Sequence, residues 1–198
     1  DSNGHIYAAT AGGLSISTNG GTSFINKTFT EGLGSNDVRG VYVDTNGYIY
    51  AATSFGFSIS TDSGVSFSNK TNVQGLGGTA VYAVYVDFFG TFFAATSGGL
   101  SISTNGGASF TNKTTTLGFG SGIVNGSYVN GNGFIYVATN GGLSFSTNNG
   151  LSFTTKGTTQ GLGNSSVEDV YVTTSGTIYA GTGGGVSIST NGGTSFTN

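Results

Sequence analysis

The sequence predicts an all-β fold of repeated four-stranded antiparallel blades, and three observations carry this prediction. The stretch Ser-Thr-Asn-Gly-Gly-Thr-Ser-Phe at residues 17–24 returns at residues 60–67 and again from Ser103, Ser146 and Ser189, always 43 residues further on. Each repeat contains four short β-branched and aromatic runs bounded by turn residues. A repeat of this length with four strands is typical of a β-propeller blade. A β-helix is the rival architecture, but its coils are usually shorter and need no hairpin at every Asn-Gly.

The blade boundaries follow the repeat. A single β-propeller domain, or a fragment of one, is predicted from five blades at about residues 1–28, 38–71, 81–114, 124–157 and 167–198.

The first half of a repeat predicts three strands. Residues 5–10 form a β-branched and aromatic run, and residues 14–18 alternate apolar with small polar side chains. Asn19-Gly20 is a strong hairpin signal, because both residues accept a positive φ. A third strand is predicted to open at Thr22 and to end near Thr28.

The second half of a repeat predicts a buried plug and a fourth strand. Leu33 lies between glycines and is repeated as Leu76, Phe119 and Leu162, so we expect this apolar side chain to fill the core. The apolar residues of the run at 38–43 are contiguous, which predicts a strand with both faces buried.

The strand count predicts that the first blade is incomplete. Three of the four strand types occur five times, whereas the type at residues 38–43 occurs four times. The first blade should therefore lack its innermost strand, and Ile6, Tyr7 and Ala9 should face an open edge. Either a continuation of the chain beyond Asn198 or a strand donated by a neighbouring molecule is expected to fill it. The start in mid-repeat predicts a fragment or a processed product.

Composition excludes several classes of function. The only cations are four lysines and Arg39, and the net charge is −3, so no basic stripe for nucleic acid can be assembled. The chain has no Cys, which excludes disulfides and thiolate metal sites. It also has no apolar run of about 18 residues, so it is not expected to span a membrane. Apolar residues make up 35% of the chain and recur at fixed places, which argues against disorder.

The repeated turn resembles a known sequence family. Ser-x-Asp-x-Gly-x-x-Phe at residues 60–67 is similar to the Asp-box, or bacterial neuraminidase repeat, in which the box joins the third and fourth strands of a blade. The resemblance implies that the strand at residues 38–43, like its equivalents in the other repeats, is the innermost strand of its blade. The box side chain should accept backbone hydrogen bonds within the turn, a structural role. The residues at this position are Asn19, Asp62, Asn105, Asn148 and Asn191.

The resemblance does not imply sialidase activity. Sialidases bind the substrate carboxylate with three arginines, and Arg39 is the single arginine of this chain. A glycosidase would need paired carboxylates, which Asp37 with Glu168 or Asp169 could supply, but nothing further in the sequence favours such a pair. We therefore predict no enzyme activity, no catalytic residue, no metal site and no cofactor.

Positions that vary within the repeated frame are the candidate ligand-binding residues. They fall in the loops that precede the innermost strand or join the second strand to the third, and these loops are expected on one face. The candidates are Arg39, Phe55, Tyr82, Asn125, Glu168 and Asp169.

Five Asn-x-Ser/Thr tripeptides are candidate N-glycosylation sites if the host secretes the protein. Their asparagines are Asn26, Asn69, Asn112, Asn125 and Asn164.

Two functions remain open at this point. The first is an extracellular, non-enzymatic propeller, secreted or on a cell surface, that adheres to or binds a protein or glycan, or builds a filament through its open first blade. The alternative is a propeller lectin with repeated sugar sites. Trp, the usual stacking residue of such lectins, is absent from the chain. The regularly spaced tyrosines of the innermost strands are Tyr42, Tyr85, Tyr128 and Tyr171.

Overall fold

The structure is a computed structural model that describes Asp1 and residues 3–198, and its regular structure is β-sheet. Eighteen strands and four short 3-10 turns occur in this part of the chain. The all-β class and the antiparallel four-stranded unit predicted from the repeat are confirmed.

The strands form five antiparallel sheets. The first sheet contains β1 (Ile6–Thr10), β2 (Gly13–Ser17) and β3 (Ile25–Lys27). The second contains β4 (Val38–Val43), β5 (Ile49–Thr53), β6 (Gly56–Ser60) and β7 (Ser68–Lys70). The third contains β8 (Val81–Val86), β9 (Phe92–Thr96), β10 (Gly99–Ser103) and β11 (Thr111–Lys113). The fourth contains β12 (Val124–Val129), β13 (Ile135–Thr139), β14 (Gly142–Ser146) and β15 (Thr154–Lys156). The fifth contains β16 (Val167–Val172), β17 (Ile178–Thr182) and β18 (Gly185–Ser189), with one further bridge between Ile188 and Thr197.

The chain divides into two compact units. The first unit contains residues 1–96 and 101–111, and its core includes two clusters of buried side chains, one around Leu14 and Ile49 and the other around Phe57 and Val81. The second unit contains residues 97–100 and 112–198, and its core cluster surrounds Leu143 and Ile178.

In each four-stranded sheet, the strand that corresponds to residues 38–43 lies at an edge. In the second sheet the order is β4-β5-β6-β7, so the box turn joins the third and fourth strands and β4 is the edge strand that the sequence predicted as innermost. The first sheet has the order β1-β2-β3 and contains no strand of this type. The prediction of an incomplete first blade is confirmed.

The edge strand is less buried than the sequence predicted. In β4 only Val38 is buried, whereas every residue of β5 is buried. Alternate residues of β5 also pack into different clusters, Ile49 into one and Tyr50 into the other. The prediction that contiguous apolar residues mark a strand covered on both faces was therefore wrong for β4, because the second strand of the sheet holds that position.

The third strand and its turn also differ from the prediction. The strand begins at Ile25 rather than Thr22, because the side chain of Asn19 holds the backbone N–H of Ser23 in the turn. The left-handed residues of the turn are Gly20 (φ 69°) and Gly21 (φ 89°), and Asn19 is not among the residues with positive φ. The Asn-Gly pair was therefore assigned one position too early.

The second repeat carries Ser63, with φ 60°, at the first left-handed position of this turn. A side chain costs about 1–2 kcal/mol in this conformation, and glycine loses about 0.5–1 kcal/mol more backbone entropy on folding. We expect Ser63→Gly to stabilise the protein by about 0.5–1 kcal/mol in urea denaturation. Thr61→Gly, in the same turn but without positive φ, should destabilise it; stabilisation by both changes would contradict this assignment.

The links between repeats contain a 3-10 turn that the sequence reasoning missed. The four turns are Phe29–Glu31, Asn72–Gln74, Thr115–Leu117 and Thr158–Gln160. In the first, Thr28 and Glu31 form a capping box, a signal that the sequence did contain. The plug residues that follow are buried as predicted; they are Leu33, Leu76, Phe119 and Leu162.

Each link makes the same two hydrogen bonds to the repeat that follows it, and we call these the junction bonds. The carbonyl of Glu31 accepts from the N–H of Phe67 at 2.7 Å, and the N–H of Gly34 donates to Ser58 Oγ at 3.0 Å. The same pair recurs in the second unit, where Leu117 accepts from Phe153 at 2.7 Å. The remaining junctions repeat this pattern.

Candidate binding site

The variable residues of the four inner edge strands are β-bulges. In β4 the pairing with β5 passes from Val38 directly to Gly40, which leaves Arg39 as the extra residue. The same irregularity leaves Tyr82, Asn125 and Glu168 unpaired in β8, β12 and β16. A bulge disrupts the ladder locally and redirects the side chain of the extra residue. One residue per strand is therefore presented outside the ladder, and the sequence varies at this residue.

The first unit contains one cluster built on these positions. The Arg39 guanidinium lies 5.0 Å from the centroid of the Tyr82 ring, a cation–π arrangement. Its Nη2 and Nε atoms lie 3.0 and 3.1 Å from Asp37 Oδ2. The carbonyl of Asp37 accepts the N–H of Ser54 at 2.9 Å, which ties this loop to the turn that carries Phe55. The candidates Arg39 and Tyr82 thus meet, and Phe55 lies in the adjoining turn with its ring exposed.

The second unit holds its candidates differently. Asn125 Nδ2 donates to Asn140 Oδ1 and to the carbonyl of Val167, both at 2.8 Å. Glu168 is exposed and accepts a hydrogen bond from the Ser166 hydroxyl at 2.7 Å. Asp169 is also exposed, and its Oδ1 accepts from the N–H of Val170. This unit therefore presents two acidic side chains. Asp37, the third carboxylate of the possible glycosidase pairs, belongs to the first unit.

The box turns are closed by short side-chain bonds. Asn19 Oδ1 accepts from the Ser17 hydroxyl at 2.9 Å and from the N–H of Ser23 at 3.0 Å. Asn105, Asn148 and Asn191 make the same bonds in their own repeats. Asp62 accepts the Ser66 hydroxyl at 2.6 Å and the N–H of Ser66 at 2.9 Å. These bonds use the oxygen of the box side chain within its own turn.

The carboxylate of Asp62 makes its turn acid-sensitive. Hydrogen bonds from the Ser66 side chain and backbone, and then from Ser60, lower the pKa of Asp62 from 3.8 to about 2. Because the folded pKa lies below the unfolded one, this stabilisation is complete above about pH 4 and is lost as the pH falls toward 2. Asp62→Asn should remove this part of the acid destabilisation while keeping neutral-pH stability, since asparagine fills the position in the other repeats.

Urea midpoints of the two proteins between pH 2 and pH 7 would measure this difference. Glu31, whose pKa is lowered mainly by the backbone N–H of Thr28, is present in both proteins and cancels in the comparison. Parallel pH profiles for the wild type and Asp62→Asn would contradict the assignment.

The asparagines of the first three candidate sequons donate hydrogen bonds to the backbone of their own repeat. The Nδ2 atoms of Asn26, Asn69 and Asn112 donate to backbone carbonyls 14 residues earlier, at 2.8–2.9 Å. In the last sequon, Asn164 Oδ1 accepts the N–H of Ser166. A glycan on Nδ2 would replace one of the two hydrogens of that atom. Glycosylation at these positions stays a prediction.

One exposed aromatic pair was missed by the sequence reasoning. Phe88 and Phe89 occupy the turn between β8 and β9, are 97% and 87% exposed, and pack edge to face with 5.7 Å between centroids. Asp87 Oδ1 accepts the N–H of Phe89 at 2.9 Å within this turn. The signal was present in the sequence, because the same two positions in the second repeat are Thr45 and Asn46.

The tyrosines of the edge strands form contacts within each unit. The Tyr42 and Tyr85 rings meet edge to face with 5.5 Å between centroids, and the Tyr128 and Tyr171 rings do so at 5.3 Å. Burial raises the pKa of Tyr42 and Tyr128. The regularly spaced tyrosines are therefore packed in pairs on neighbouring edge strands.

Two further features concern the described residues alone. They contain no group of three or more His, Cys, Asp or Glu side chains that could hold a metal ion. Within this same part of the chain, no helix has the length and apolar character required to cross a bilayer.

No protein-family model matches the chain, and no curated protein matches it. Solved structures do resemble it. The extracellular domain of a hybrid two-component system protein from B. thetaiotaomicron has 21% identity and a TM-score of 0.81, over 95% of this chain and 26% of that one. YCF48 from Cyanidioschyzon merolae has 15% identity and a TM-score of 0.67, over 94% and 63%, and YCF48 has also been solved with a D1 peptide bound.

A GH74 enzyme from Niastella koreensis has 27% identity and a TM-score of 0.64, over 98% of this chain and 29% of the enzyme. The chain thus spans about a quarter of the length of the first of these structures and less than two thirds of YCF48. These proteins differ in role and share an architecture. The chain described here has a β-propeller fold.

Proposed function

We propose that this protein is a non-enzymatic β-propeller of the Asp-box type, secreted or held at a cell surface, that binds a protein partner through its bulge residues. One observation carries the proposal: the turns and the buried plug residues recur every 43 residues, whereas the bulge residue differs in each repeat. The bulge residues are Arg39, Tyr82, Asn125 and Glu168. Bulges redirect side chains beside functional sites.

The chemistry of these positions favours a protein over other partners. Arg and Tyr are enriched among the residues that dominate protein–protein binding, and here Arg39 and Tyr82 are preassembled by the cation–π contact. The exposed Phe88–Phe89 pair offers a second anchor at another turn of the first unit. Large exposed apolar groups of this kind mark interaction sites. Among the structural neighbours, a peptide complex of YCF48 and an extracellular bacterial domain support the same class of role.

The Asp-box assignment is supported by the turn geometry. In every repeat, the box oxygen accepts both the preceding serine hydroxyl and a backbone N–H four residues further on. A surface layer, filament or glycoprotein is compatible with this proposal but is not required by it.

Glycan binding is the second candidate, and the tyrosine pairs favour it. Pairs of partly exposed tyrosine rings, such as Tyr42 with Tyr85, can offer aromatic surface to a sugar ring. The similarity to a GH74 enzyme extends this candidate to hydrolysis, for which Asp37, Glu168 and Asp169 are the carboxylates to test.

The proposal can be tested with defined libraries. The purified chain would be presented to a random-peptide phage library, a glycan array and a soluble polysaccharide panel with a reducing-sugar assay. We expect selected peptides that bind with micromolar affinity and shift the backbone NMR signals of residues 37–40 and 81–83. Glycan binding without peptide binding, or sugar release abolished by Asp37→Asn or Glu168→Gln, would overturn the proposal.

Repeat-derived variants supply matched controls. Arg39→Asn and Tyr82→Asn introduce the residue found at the bulge of the fourth sheet, and together they should weaken peptide binding at least tenfold. The double variant Phe88→Thr, Phe89→Asn introduces the turn of the second repeat and separates a contribution of the aromatic pair from that of the bulge residues. Unchanged affinity in both double variants would refute binding at either surface.

A further inference from the structure

The turn between β12 and β13 carries an amide side chain where two equivalent turns carry an acid. Asn130 occupies the position of Asp44 and Asp87, and Gly131 follows it. Asn130 Oδ1 accepts two backbone N–H groups of its own turn, both at 3.0 Å, and the carboxylate of Asp44 accepts two in the same way at 2.9 Å. The amide group of Asn130 is therefore held in the turn through its oxygen.

An asparagine that precedes a glycine can react with its own backbone, one reason why asparagine is a thermolabile residue. The nitrogen of the glycine attacks the side-chain Cγ, and Nδ2 leaves as ammonia. Glycine favours this attack because it has no side chain beside the nitrogen. A folded chain prevents the attack where the backbone N–H or the Nδ2 atom is already hydrogen-bonded, since those bonds must first break.

Neither obstacle is present at Asn130. Gly131 is exposed, and no atom of the described chain accepts from its N–H or from Asn130 Nδ2. The two N–H groups on Oδ1 also point at the oxygen on which negative charge develops during the attack. Donors placed in this way stabilise such a charge, as in an oxyanion hole.

The other nine Asn-Gly pairs of the described chain are each held at one of the two reacting atoms. In the turn after β4, the N–H of Gly47 donates to the carbonyl of Asp44 at 3.0 Å. The other glycines whose N–H is engaged are Gly4, Gly133, Gly141 and Gly150. In the box turn of the first repeat, Asn19 Nδ2 donates to Ser23 Oγ at 2.9 Å. The other asparagines whose Nδ2 is engaged are Asn105, Asn125 and Asn191.

We propose that Asn130 is a self-modification site, at which the chain deamidates itself with water as the co-reactant. The Gly131 nitrogen forms a bond to Cγ of Asn130, the Cγ–Nδ2 bond breaks, and the proton lost by the nitrogen leaves with Nδ2 as ammonia. Water then opens the cyclic imide at either carbonyl and gives aspartate or iso-aspartate. Aspartate restores the acid found at Asp44 and Asp87, whereas iso-aspartate adds a methylene group to the main chain. This inference goes beyond the proposed function and does not rest on it.

The test follows the whole chain in mildly alkaline buffer at physiological temperature, once folded and once in urea. Trypsin cleavage after Lys113 and Lys156 releases residues 114–156, in which tandem mass spectrometry separates Asn130 from Asn132 and Asn140. In the folded chain, we expect Asn130 to convert at least tenfold faster than either of the other two. In urea the preference should disappear, because every pair then has a free backbone nitrogen and a free Nδ2.

Two glycine variants supply the mechanism and its control. Gly131→Ala should slow the conversion at least tenfold by placing a methyl group beside the attacking nitrogen. The fold should be unchanged, because Gly131 has no positive φ and an added Cβ atom would meet nothing within 4 Å. Gly122→Ala is the matched control: Gly122 lies in the same tryptic fragment, is equally unconstrained, and its substitution should leave the rate unchanged.

Iso-aspartate in the product, detected with an iso-aspartate methyltransferase, would confirm the cyclic imide, because direct hydrolysis gives aspartate alone. Three results would overturn the proposal. They are equal conversion of Asn130 and Asn132 in the folded chain, an undiminished preference for Asn130 in urea, and equal rates for Gly131→Ala and Gly122→Ala. The second result would mean that the local sequence, rather than the hydrogen bonding of the turn, selects the site.

Discussion

Phe57→Ala is expected to destabilise the protein by about 3–5 kcal/mol, the largest loss that we predict for one side chain. The Phe57 side chain is fully buried and packs against the rings of Tyr50, Phe92 and Phe110, with 5.6–6.2 Å between centroids. Alanine would leave a cavity that three aromatic neighbours, each fixed by its own strand or link, cannot fill. Urea denaturation followed by tyrosine fluorescence would measure the loss as a lower midpoint.

Phe55→Ala is the matched control for this prediction. Phe55 lies two residues earlier in the same hairpin and is 56% exposed, so its truncation should change the stability by no more than about 1 kcal/mol. Because Phe55 is a candidate ligand-binding residue, the same variant should reveal any contribution to binding without the complication of unfolding. Equal losses from the two changes would show that the hairpin does not pack as described.

Gly32→Ala is expected to destabilise the protein by about 2–5 kcal/mol through its backbone surroundings. Gly32 has φ +96°, and a Cβ atom added there would lie 2.2 Å from the carbonyl oxygen of Phe67. Strain at positive φ contributes about 1–3 kcal/mol, and forced separation of link and repeat a similar amount. Thermal unfolding monitored by circular dichroism would report the loss.

Gly47→Ala separates the strain of a positive φ from the clash between an added Cβ atom and the neighbouring backbone. Gly47 has φ +78°, but an added Cβ atom would meet nothing within 4 Å. Its substitution should therefore show only the conformational term, about 1–2 kcal/mol. If Gly32→Ala lost no more stability than Gly47→Ala, the close approach of link and repeat would be refuted.

Repetition made much of the fold predictable from the sequence. A strand, turn or plug that recurs every 43 residues is observed four or five times, so a weak local preference such as that of Leu33 becomes a firm expectation of burial. Counting strand types also located the incomplete first sheet without any knowledge of packing.

Features that depend on contacts within and between sheets were harder to predict from the sequence. Burial of β4 was overestimated because apolar content does not reveal which strand of a sheet has neighbours on both faces. The start of the third strand was predicted too early because the N–H of Ser23 donates to the Asn19 side chain instead of pairing with a strand. Residue preferences for strands do not reveal such a local hydrogen bond.

The candidate site was predictable as a set of positions but not as an arrangement. Sequence variation singled out Arg39 and Tyr82, whereas their stacking depends on the bulge, which has no sequence signature here. Phe88 and Phe89 were not predicted as exposed because Asp87 and Gly90 identify the turn but do not determine the character of the two side chains between them.

The recurrence of the junction bonds has a consequence for how the molecule comes apart. When each unit of an array is held by the same nearest-neighbour contacts, the free energy of opening depends on how many neighbours a unit retains rather than on its identity. Breaking one junction should therefore cost about as much free energy as breaking another, and it should leave an equivalent backbone N–H and serine hydroxyl unpaired on the following repeat. Hydrogen exchange at the amides of Phe67, Phe110 and Phe153, each of which donates across a junction, should accordingly occur at similar rates.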